Sequence, residues 1–267
     1  MELAPSKYGK FEVKSAAEAL TWGYLWLLYS KGGGGKTTLA GGVADSPEDC
    51  PVLFIDAEGG TKAIAHRAGV EVILVSTWDE MLDLTRTIIT DPDLKWKTIV
   101  IDNLSELVQY AIIKIVGNAN DNISQPKWGD MARAVEAMVR DYRDLARKRN
   151  INVILLGWDI IDEDRAKRAV LTLQSSPMLQ KDLPGIIDII AHIDPIDGDQ
   201  TKRTLVMETA AQTISKFRRN ATGTALTIPH RITYGLNNLP MADILGALKW
   251  GRPFDEKKYP KLNQATR

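Results

Sequence analysis

The chain has 267 residues, 44% of them hydrophobic and 25% charged, and its formal net charge at pH 7 is zero. These proportions are ordinary for a globular protein and provide no overall charge that would attract nucleic acid, although they are compatible with a local basic strip. Cys50 is the only cysteine, which excludes an intrachain disulfide and a cysteine-based zinc site. No apolar run is long enough to span a membrane, and the N-terminus lacks the apolar core of a signal peptide. We therefore expect a cytoplasmic protein without a membrane partner.

The first informative segment is "LLYSKGGGGKTTLA", residues 27–40. It follows the phosphate-binding loop pattern G-x-x-x-x-G-K-[ST], except that Ser30 occupies the first glycine position. The four glycines let backbone N–H groups turn toward an anion, Lys36 can reach the β- and γ-phosphates, and the Thr37 hydroxyl can bind Mg²⁺. A flexible glycine linker is the alternative, and the flanking apolar strand and helix start disfavour it. The residues expected at the nucleotide are Lys31, Gly32, Gly33, Gly34, Gly35, Lys36, Thr37 and Thr38.

Strands and helices alternate after this loop. Near-continuous runs of Val, Ile and Leu predict strands over 51–58, 70–76, 97–104 and 151–158. Helices are predicted over 77–90, with Thr77 as the N-cap, and over 129–150, where apolar residues recur at helical spacing. This alternation indicates a mainly parallel sheet covered by helices on both faces.

The pattern changes after residue 158, where shorter segments such as "TLVMET" and "ALTIPHRITYG" predict antiparallel strands. No linker, repeat or low-complexity segment divides the chain. The expected architecture is therefore an α/β P-loop NTPase core with antiparallel strands towards the C-terminus. We expect one domain over 1–267, with its core at about 20–236 between a short N-terminal lead and a C-terminal tail.

Carboxylates end two of the predicted strands. Asp102 follows "TIVI", and Asp56 and Glu58 close "LFIDAEGG". Ligands of open α/β sheets bind at the carboxyl ends of the strands, so Asp102 is the candidate Mg²⁺ ligand together with Thr37. Glu58 is the candidate base for the water that attacks the γ-phosphate. The alternatives are a structural aspartate at 102 and a helix cap at 56–58.

Five segments, "VLFIDAEGG", "KTIVIDNLSEL", "INVILLGW", "LQKDLPGIIDIIAHI" and "TISKFRRNATG", occur in an order that resembles phage-encoded RecA-like nucleotide-binding proteins. The resemblance covers roughly residues 24–235. It implies a RecA ATPase core without large accessory domains, acting in recombination or single-strand annealing. It also implies that Glu58 is the catalytic glutamate and that Asp102 is the aspartate of the central strand.

The sequence departs from the RecA-like pattern at two positions. Ser30 replaces the first loop glycine, and Trp158 stands where RecA-like proteins usually have a polar sensor. Asp159 is the candidate substitute for that sensor.

The same glycines also permit a rival interpretation. "KGGGGKTT" matches the K-G-G-x-G-K-T loop of partition-type ATPases, and Lys31 would be the extra lysine that contacts nucleotide across a dimer in that family. The long segment before the P-loop strand and the hairpin-rich C-terminal half favour the RecA-like interpretation. A nucleotide-binding scaffold without hydrolysis is a third alternative, supported by Ser30 and Trp158.

A basic strip lies at residues 202–231, where six Lys or Arg residues face one acidic residue, Glu208. A solvated strand edge would explain it. The RecA-like resemblance implies a second role, in which Lys216 and Arg218 reach the γ-phosphate of a neighbouring subunit and act in catalysis, with Arg219 as a weaker candidate.

Two polar segments are candidates for contact with single-stranded DNA because they combine cations or an aromatic residue in a loop. One is 117–130, which contains Trp128, and the other is 162–182, which contains Arg165, Lys167, Arg168 and Lys181. Ordinary surface loops are the alternative. The histidines, His66, His192 and His230, are scattered, and we interpret them as structural.

The sequence therefore predicts a RecA-like enzyme that binds and hydrolyses ATP with Mg²⁺, assembles into a ring or filament and acts on single-stranded DNA in recombination or annealing. A single-strand-binding protein is a further candidate partner. If the protein is phage-encoded, it is expected in the host cytoplasm.

Overall fold

The computed structural model describes residues 22–117, 125–163, 169–196, 199–208, 214–218 and 227–259. Its centre is a ten-stranded sheet with the strand order β10-β8-β7-β1-β5-β4-β2-β3, to which β6 is added on β5 and β9 on β7. The strands are β1 (Leu25–Ser30), β2 (Val52–Asp56), β3 (Val70–Leu74), β4 (Thr98–Asp102), β5 (Asn152–Glu163), β6 (Ala169–Leu173), β7 (Ile189–Ile196), β8 (Asp199–Val206), β9 (Lys216–Phe217) and β10 (Arg231–Gly235).

The central strands are parallel. β1 lies between β5 and β7, and its register pairs Tyr29 with Gly157 on one side and with His192 on the other. Every residue of β1, β2 and β4 is buried, as expected for parallel strands covered on both faces. This arrangement brings the carboxyl ends of β1, β5, β4 and β2 to one edge of the sheet.

The helices lie on the two faces of the sheet. They are α1 (Lys36–Gly41), α2 (Trp78–Thr90), α3 (Leu104–Ala111), α4 (Gln125–Arg149), α5 (Pro177–Ile186) and α6 (Met241–Trp250). One hydrophobic cluster contains Leu25, Leu27 and Tyr29 of β1, and a second contains Trp26 and Leu28. Alternate β1 side chains therefore enter opposite layers, which fixes the strand between two cores.

The C-terminal strands are antiparallel. β8 pairs with β7 and β10, β9 pairs with β7, and β6 turns back on β5. The predicted fold class is confirmed: a mainly parallel sheet flanked by helices, with antiparallel strands towards the C-terminus. Among the described residues, no helix is both long and apolar enough to cross a membrane.

The boundaries of several elements differ from the sequence-based expectation. β5 continues beyond Trp158 to Glu163 because β6 pairs with its extension. α4 begins at Gln125, before the predicted start at residue 129, since the proline that follows is tolerated in the first turn. The predicted cap of α2 is confirmed, because the Thr77 side chain accepts a hydrogen bond from Glu80 N. Helices α3, α5 and α6 were not predicted.

Candidate functional site: a P-loop at the carboxyl edge of the sheet

The glycine loop connects the buried strand β1 to helix α1. Gly33 and Gly35 have φ angles of 72° and 93°, in the left-handed region that glycine adopts without strain. A Cβ on Gly34 would lie 2.2 Å from Ser30 Oγ. Ser30 therefore fits at the first glycine position because Gly34, which packs against it, has no side chain.

Lys36 is the first residue of α1, and it is only 6% exposed. Its ammonium donates to the carbonyl oxygens of Ser30 and Lys31, each at 3.1 Å. Burial lowers the pKa of Lys36, and the negative charges of Glu58, Asp102 and Asp159 act in the opposite direction. The side chain is thus held within the loop by the backbone, surrounded by carboxylates. The Lys31 side chain, in contrast, is exposed.

Thr37 and Asp102 meet across the site. Thr37 Oγ1 donates to Asp102 Oδ2 at 2.7 Å, and Gly60 packs so closely that an added Cβ would lie 3.2 Å from the same oxygen. Asp102 is fully buried, its Oδ1 has no hydrogen-bond partner among the described residues, and burial raises its pKa to about 6. A buried carboxylate with an unsatisfied oxygen beside a hydroxyl fits Mg²⁺, a hard cation that prefers oxygen ligands.

Asp56 and Glu58 have different environments, although both follow β2. Asp56 is 2% exposed and accepts hydrogen bonds from Glu58 N, Gly59 N, Thr61 N and Thr61 Oγ1. Burial raises the pKa of Asp56, but these hydrogen bonds outweigh burial and lower it. Asp56 therefore shapes the turn that carries Glu58, and that turn leaves the Glu58 side chain free to face the site.

Glu58 is exposed and is held by two side chains. Its Oε2 accepts a hydrogen bond from Asn103 Nδ2, and its Oε1 accepts one from Trp158 Nε1 at 3.3 Å. Glu58 N also donates to the carbonyl of Asp102. Asn103 was not selected from the sequence. The sequence signal that could have identified Asn103 is its position immediately after Asp102, the last residue of β4.

The two candidates for a sensor are placed differently. Trp158 is opposite Ser30 in the β1–β5 register, and its backbone N–H donates to Ser105 Oγ at 3.0 Å. Asp159, the next residue, pairs with His192 on β7 rather than standing alone. Arg203 belongs to the basic strip at 202–231, but the sequence did not predict its contact with the P-loop. Its Nε on β8 donates to Gly34 O at 3.1 Å and so supports the loop backbone.

Lys216 and Arg218 lie away from the P-loop of their own chain. Lys216 pairs with Ile190, and Arg218 NH1 contacts Asp188 Oδ1 at 2.9 Å, near the start of β7. In the register of β1 with β7, Ile189 is opposite Trp26, four residues before Ser30. At about 3.3 Å per residue, Ile189 is therefore roughly 13 Å from the P-loop end of β1.

Both cations are engaged within the chain. Lys216 Nζ donates to the carbonyls of Pro184 and Ile187, each at 2.6 Å. Burial lowers the pKa of Lys216, and Arg218 lowers it further. A contact to nucleotide from these side chains would have to be made with a neighbouring subunit.

The two segments suggested for DNA are only partly described. Trp128 lies in the first turns of α4 and is 40% exposed, and Lys181 on α5 is exposed. Arg165, Lys167 and Arg168 lie outside the described residues, as does Arg219. In the part of the chain that the structure describes, no group of three or more His, Cys, Asp or Glu residues is arranged to hold a metal ion.

The fold and the site together define a P-loop nucleotide-binding protein. A glycine loop, its lysine and a threonine–aspartate pair converge at the carboxyl edge of a parallel sheet. The sequence model of the AAA domain matches residues 23–219, well over half of the chain. The chain therefore belongs to this AAA-domain family.

No curated protein matches the chain. Among solved structures, the crystal structure of the RadB recombinase is similar to it, with a TM-score of 0.47 and 15% sequence identity over 80% of this chain and 87% of that one.

Proposed function

We propose that the protein binds ATP with Mg²⁺ and hydrolyses it. The observation that carries this proposal is the convergence of Lys36, Thr37 and Asp102. Thr37 Oγ1 lies 2.7 Å from Asp102 Oδ2, and no described residue pairs with the second oxygen of this buried carboxylate. Thr37 and Asp102 would hold Mg²⁺, which supplies charge neutralisation at the phosphates. Lys36 binds the β- and γ-phosphates, and the loop N–H groups orient them.

Glu58 is proposed as the general base. Its carboxylate is exposed, while Asn103 and Trp158 donate to its two oxygens and fix its direction. A carboxylate oriented in this way can accept the proton of the attacking water. Asp56 is not suited to this role because hydrogen bonds to the turn use both of its oxygens.

We further propose that the protein is RecA-like in function, assembles into a ring or filament as one domain, and acts on single-stranded DNA in recombination or annealing. The order of the sequence motifs supports this proposal, as does the position of Lys216 and Arg218 away from their own P-loop. In an assembly they would supply charge to a neighbour's γ-phosphate. Phage origin, a host cytoplasmic location and a single-strand-binding partner belong to the same proposal.

The test is ATP turnover measured without DNA, with single-stranded DNA and with duplex DNA. Stimulation by single strands supports the RecA-like function. Stimulation by duplex DNA supports the partition-type alternative, in which the exposed Lys31 would act across a dimer. ATP binding without turnover under all three conditions would identify a nucleotide-binding scaffold.

A further inference from the structure

His192 lies between two aspartates, Asp159 and Asp194, across the end of strand β1 beside the P-loop. His192 Nε2 on β7 lies 3.0 Å from Asp159 Oδ2 on β5, and His192 Nδ1 lies 2.7 Å from Asp194 Oδ1. The side chains of His192 and Asp159 are 3% and 6% exposed, whereas that of Asp194 is 37% exposed. The imidazole therefore connects a buried carboxylate at the site to one at the surface.

Asp159 lies on the phosphate side of the loop. It follows Trp158, which is opposite Ser30, and the Ser30 carbonyl accepts a hydrogen bond from the Lys36 ammonium. The charge of Asp159 is close enough to Lys36 to oppose the lowering of its pKa. A γ-phosphate bound by Lys36 would therefore bring negative charge near Asp159.

Asp194, on the other side of His192, belongs to the hairpin formed by β7 and β8. Asp194 pairs with Thr204 in this hairpin, and the residue before Thr204 in β8, Arg203, donates to Gly34 O. The β7–β8 hairpin thus contacts the nucleotide site at two points, through His192 to Asp159 and through Arg203 to the P-loop backbone.

A histidine–aspartate pair buried at this position needs a physical reason, because burying charged groups costs about as much free energy as their attraction returns. A purely structural contact at this position could be made by apolar residues. We propose that His192 is a positioning residue that acts through Asp159, and that the pair couples occupation of the γ-phosphate site to the β7–β8 hairpin. This inference rests on the proposed binding of ATP.

The charges that face His192 determine how it should respond. They are Asp159 from β5 and Asp194 from β7, while β1 presents the Tyr29 ring at 4.7 Å and β8 presents Val206. Burial lowers the pKa of His192, but the nearby carboxylates of Asp194 and Asp159 outweigh burial and raise it. A γ-phosphate adds negative charge nearby, so it should favour protonated His192 further and raise its pKa.

NMR titration of the imidazole signals tests this coupling directly, since the chain has only three histidines. The His192→Gln, His66→Gln and His230→Gln variants assign the three signals. We expect the pKa of His192 to be higher in the Mg²⁺ complex of a non-hydrolysable ATP analogue than in the Mg²⁺–ADP complex, and to fall in Asp159→Asn. An identical pKa of His192 in both complexes would overturn the inference, as would a pKa that Asp159→Asn does not change.

ATP turnover against pH gives a second readout and separates this inference from the proposed function. We expect turnover by the wild-type protein to fall as pH rises through the pKa of His192, and this fall to be absent in His192→Gln. His66→Gln is the matched control because His66 is exposed. Unchanged pH dependence in His192→Gln would contradict the inference. If the wild-type protein binds but does not hydrolyse ATP, the proposed hydrolysis fails, and the NMR comparison of the two complexes still decides the role of His192.

Discussion

The indole N–H of Trp158 donates a hydrogen bond to Glu58 Oε1 at 3.3 Å. The residue that departs from the usual polar sensor is thus in contact with the candidate base. Trp158 and Asn103 occupy the two oxygens of one carboxylate, which fixes its orientation without covering it. Trp158 is therefore as compatible with a hydrolytic site as with a nucleotide-binding scaffold that does not hydrolyse ATP.

Glu58→Gln should retain ATP binding while turnover falls by roughly 10²-fold or more, because the amide keeps the shape of the side chain but cannot accept a proton. ATP turnover and equilibrium binding of a fluorescent ATP analogue measure the two effects separately. Trp158→Phe is the paired variant, since it removes the N–H donor to Glu58 and keeps an aromatic ring. It should reduce turnover by about 10-fold or less. Normal hydrolysis by Glu58→Gln would assign the base elsewhere.

Lys36→Ala should abolish ATP binding, because it removes the buried ammonium that the loop backbone holds toward the phosphates. Isothermal titration with ATP and Mg²⁺ measures the loss. Lys31→Ala is the matched control, since its exposed side chain lies in the same loop and its carbonyl contact to Lys36 survives the change. If Lys31→Ala is the inactive variant and Lys36→Ala binds normally, the loop works as in partition-type ATPases.

Gly34→Ala should weaken ATP binding, because the new Cβ would lie 2.2 Å from Ser30 Oγ and would displace the loop. The double variant Ser30→Gly with Gly34→Ala removes the clash with the Ser30 side chain and leaves the Lys31 carbonyl 3.0 Å from the new Cβ. It should therefore recover part of the affinity. ATP affinity of the two variants, with Ser30→Gly alone as the control, measures the coupling. Equal ATP affinities of the single Gly34→Ala variant and the double variant would show that Ser30 is not the reason why position 34 requires glycine.

Asp102→Asn should stabilise the protein when Mg²⁺ is chelated. Burial raises the pKa of Asp102 from 3.8 to about 6, so the folded state favours the protonated carboxyl and stability is lost as pH rises through about 6. The amide removes this penalty, and we expect the free energy of unfolding at pH 8 to rise by about 1–3 kcal/mol.

Urea denaturation of wild type and Asp102→Asn at pH 4, 6 and 8 measures this difference. The gain should be largest at pH 8 and smallest at pH 4, which lies close to the unfolded pKa of 3.8. The same variant should lose the extra stabilisation that ATP gives in the presence of Mg²⁺, because a metal ligand is gone. A destabilised variant at pH 8 without Mg²⁺ would contradict a pKa of Asp102 that burial raises.

Mixing two inactive proteins tests whether Lys216 and Arg218 act on a neighbour. The Lys216→Ala, Arg218→Ala double variant and the Glu58→Gln variant should each be nearly inactive alone. In a mixed assembly some interfaces join an intact Glu58 site to an intact pair of cations, so turnover should partly return.

The double variant also needs a test of folding, since Lys216 Nζ caps the carbonyls of Pro184 and Ile187 in its own chain. Its thermal unfolding midpoint and its ATP affinity serve this purpose. Folded protein that binds ATP, yet gives no turnover in the mixture, would rule out a role in trans. Full turnover by the double variant alone would exclude the cations from catalysis.

The sequence by itself determined the P-loop, the parallel core and the strand-end carboxylates, because each depends on local pattern. Runs of Val, Ile and Leu indicate strands buried on both faces. Glycines beside Lys36 indicate an anion site from the local residues alone, whatever the rest of the fold. The N-cap at Thr77 is equally local, since its hydrogen bond joins residues three apart.

The tertiary structure alone decided which distant residues meet. Asn103 and Trp158 converge on Glu58, Arg203 reaches Gly34 across 169 positions of sequence, and His192, interpreted from the sequence as structural, pairs with Asp159. These contacts follow from the strand order, which places β7 and β5 on either side of β1. No local pattern specifies that order, because it depends on how the helices and strands pack across the whole sheet, and the chemistry of the site depends on it.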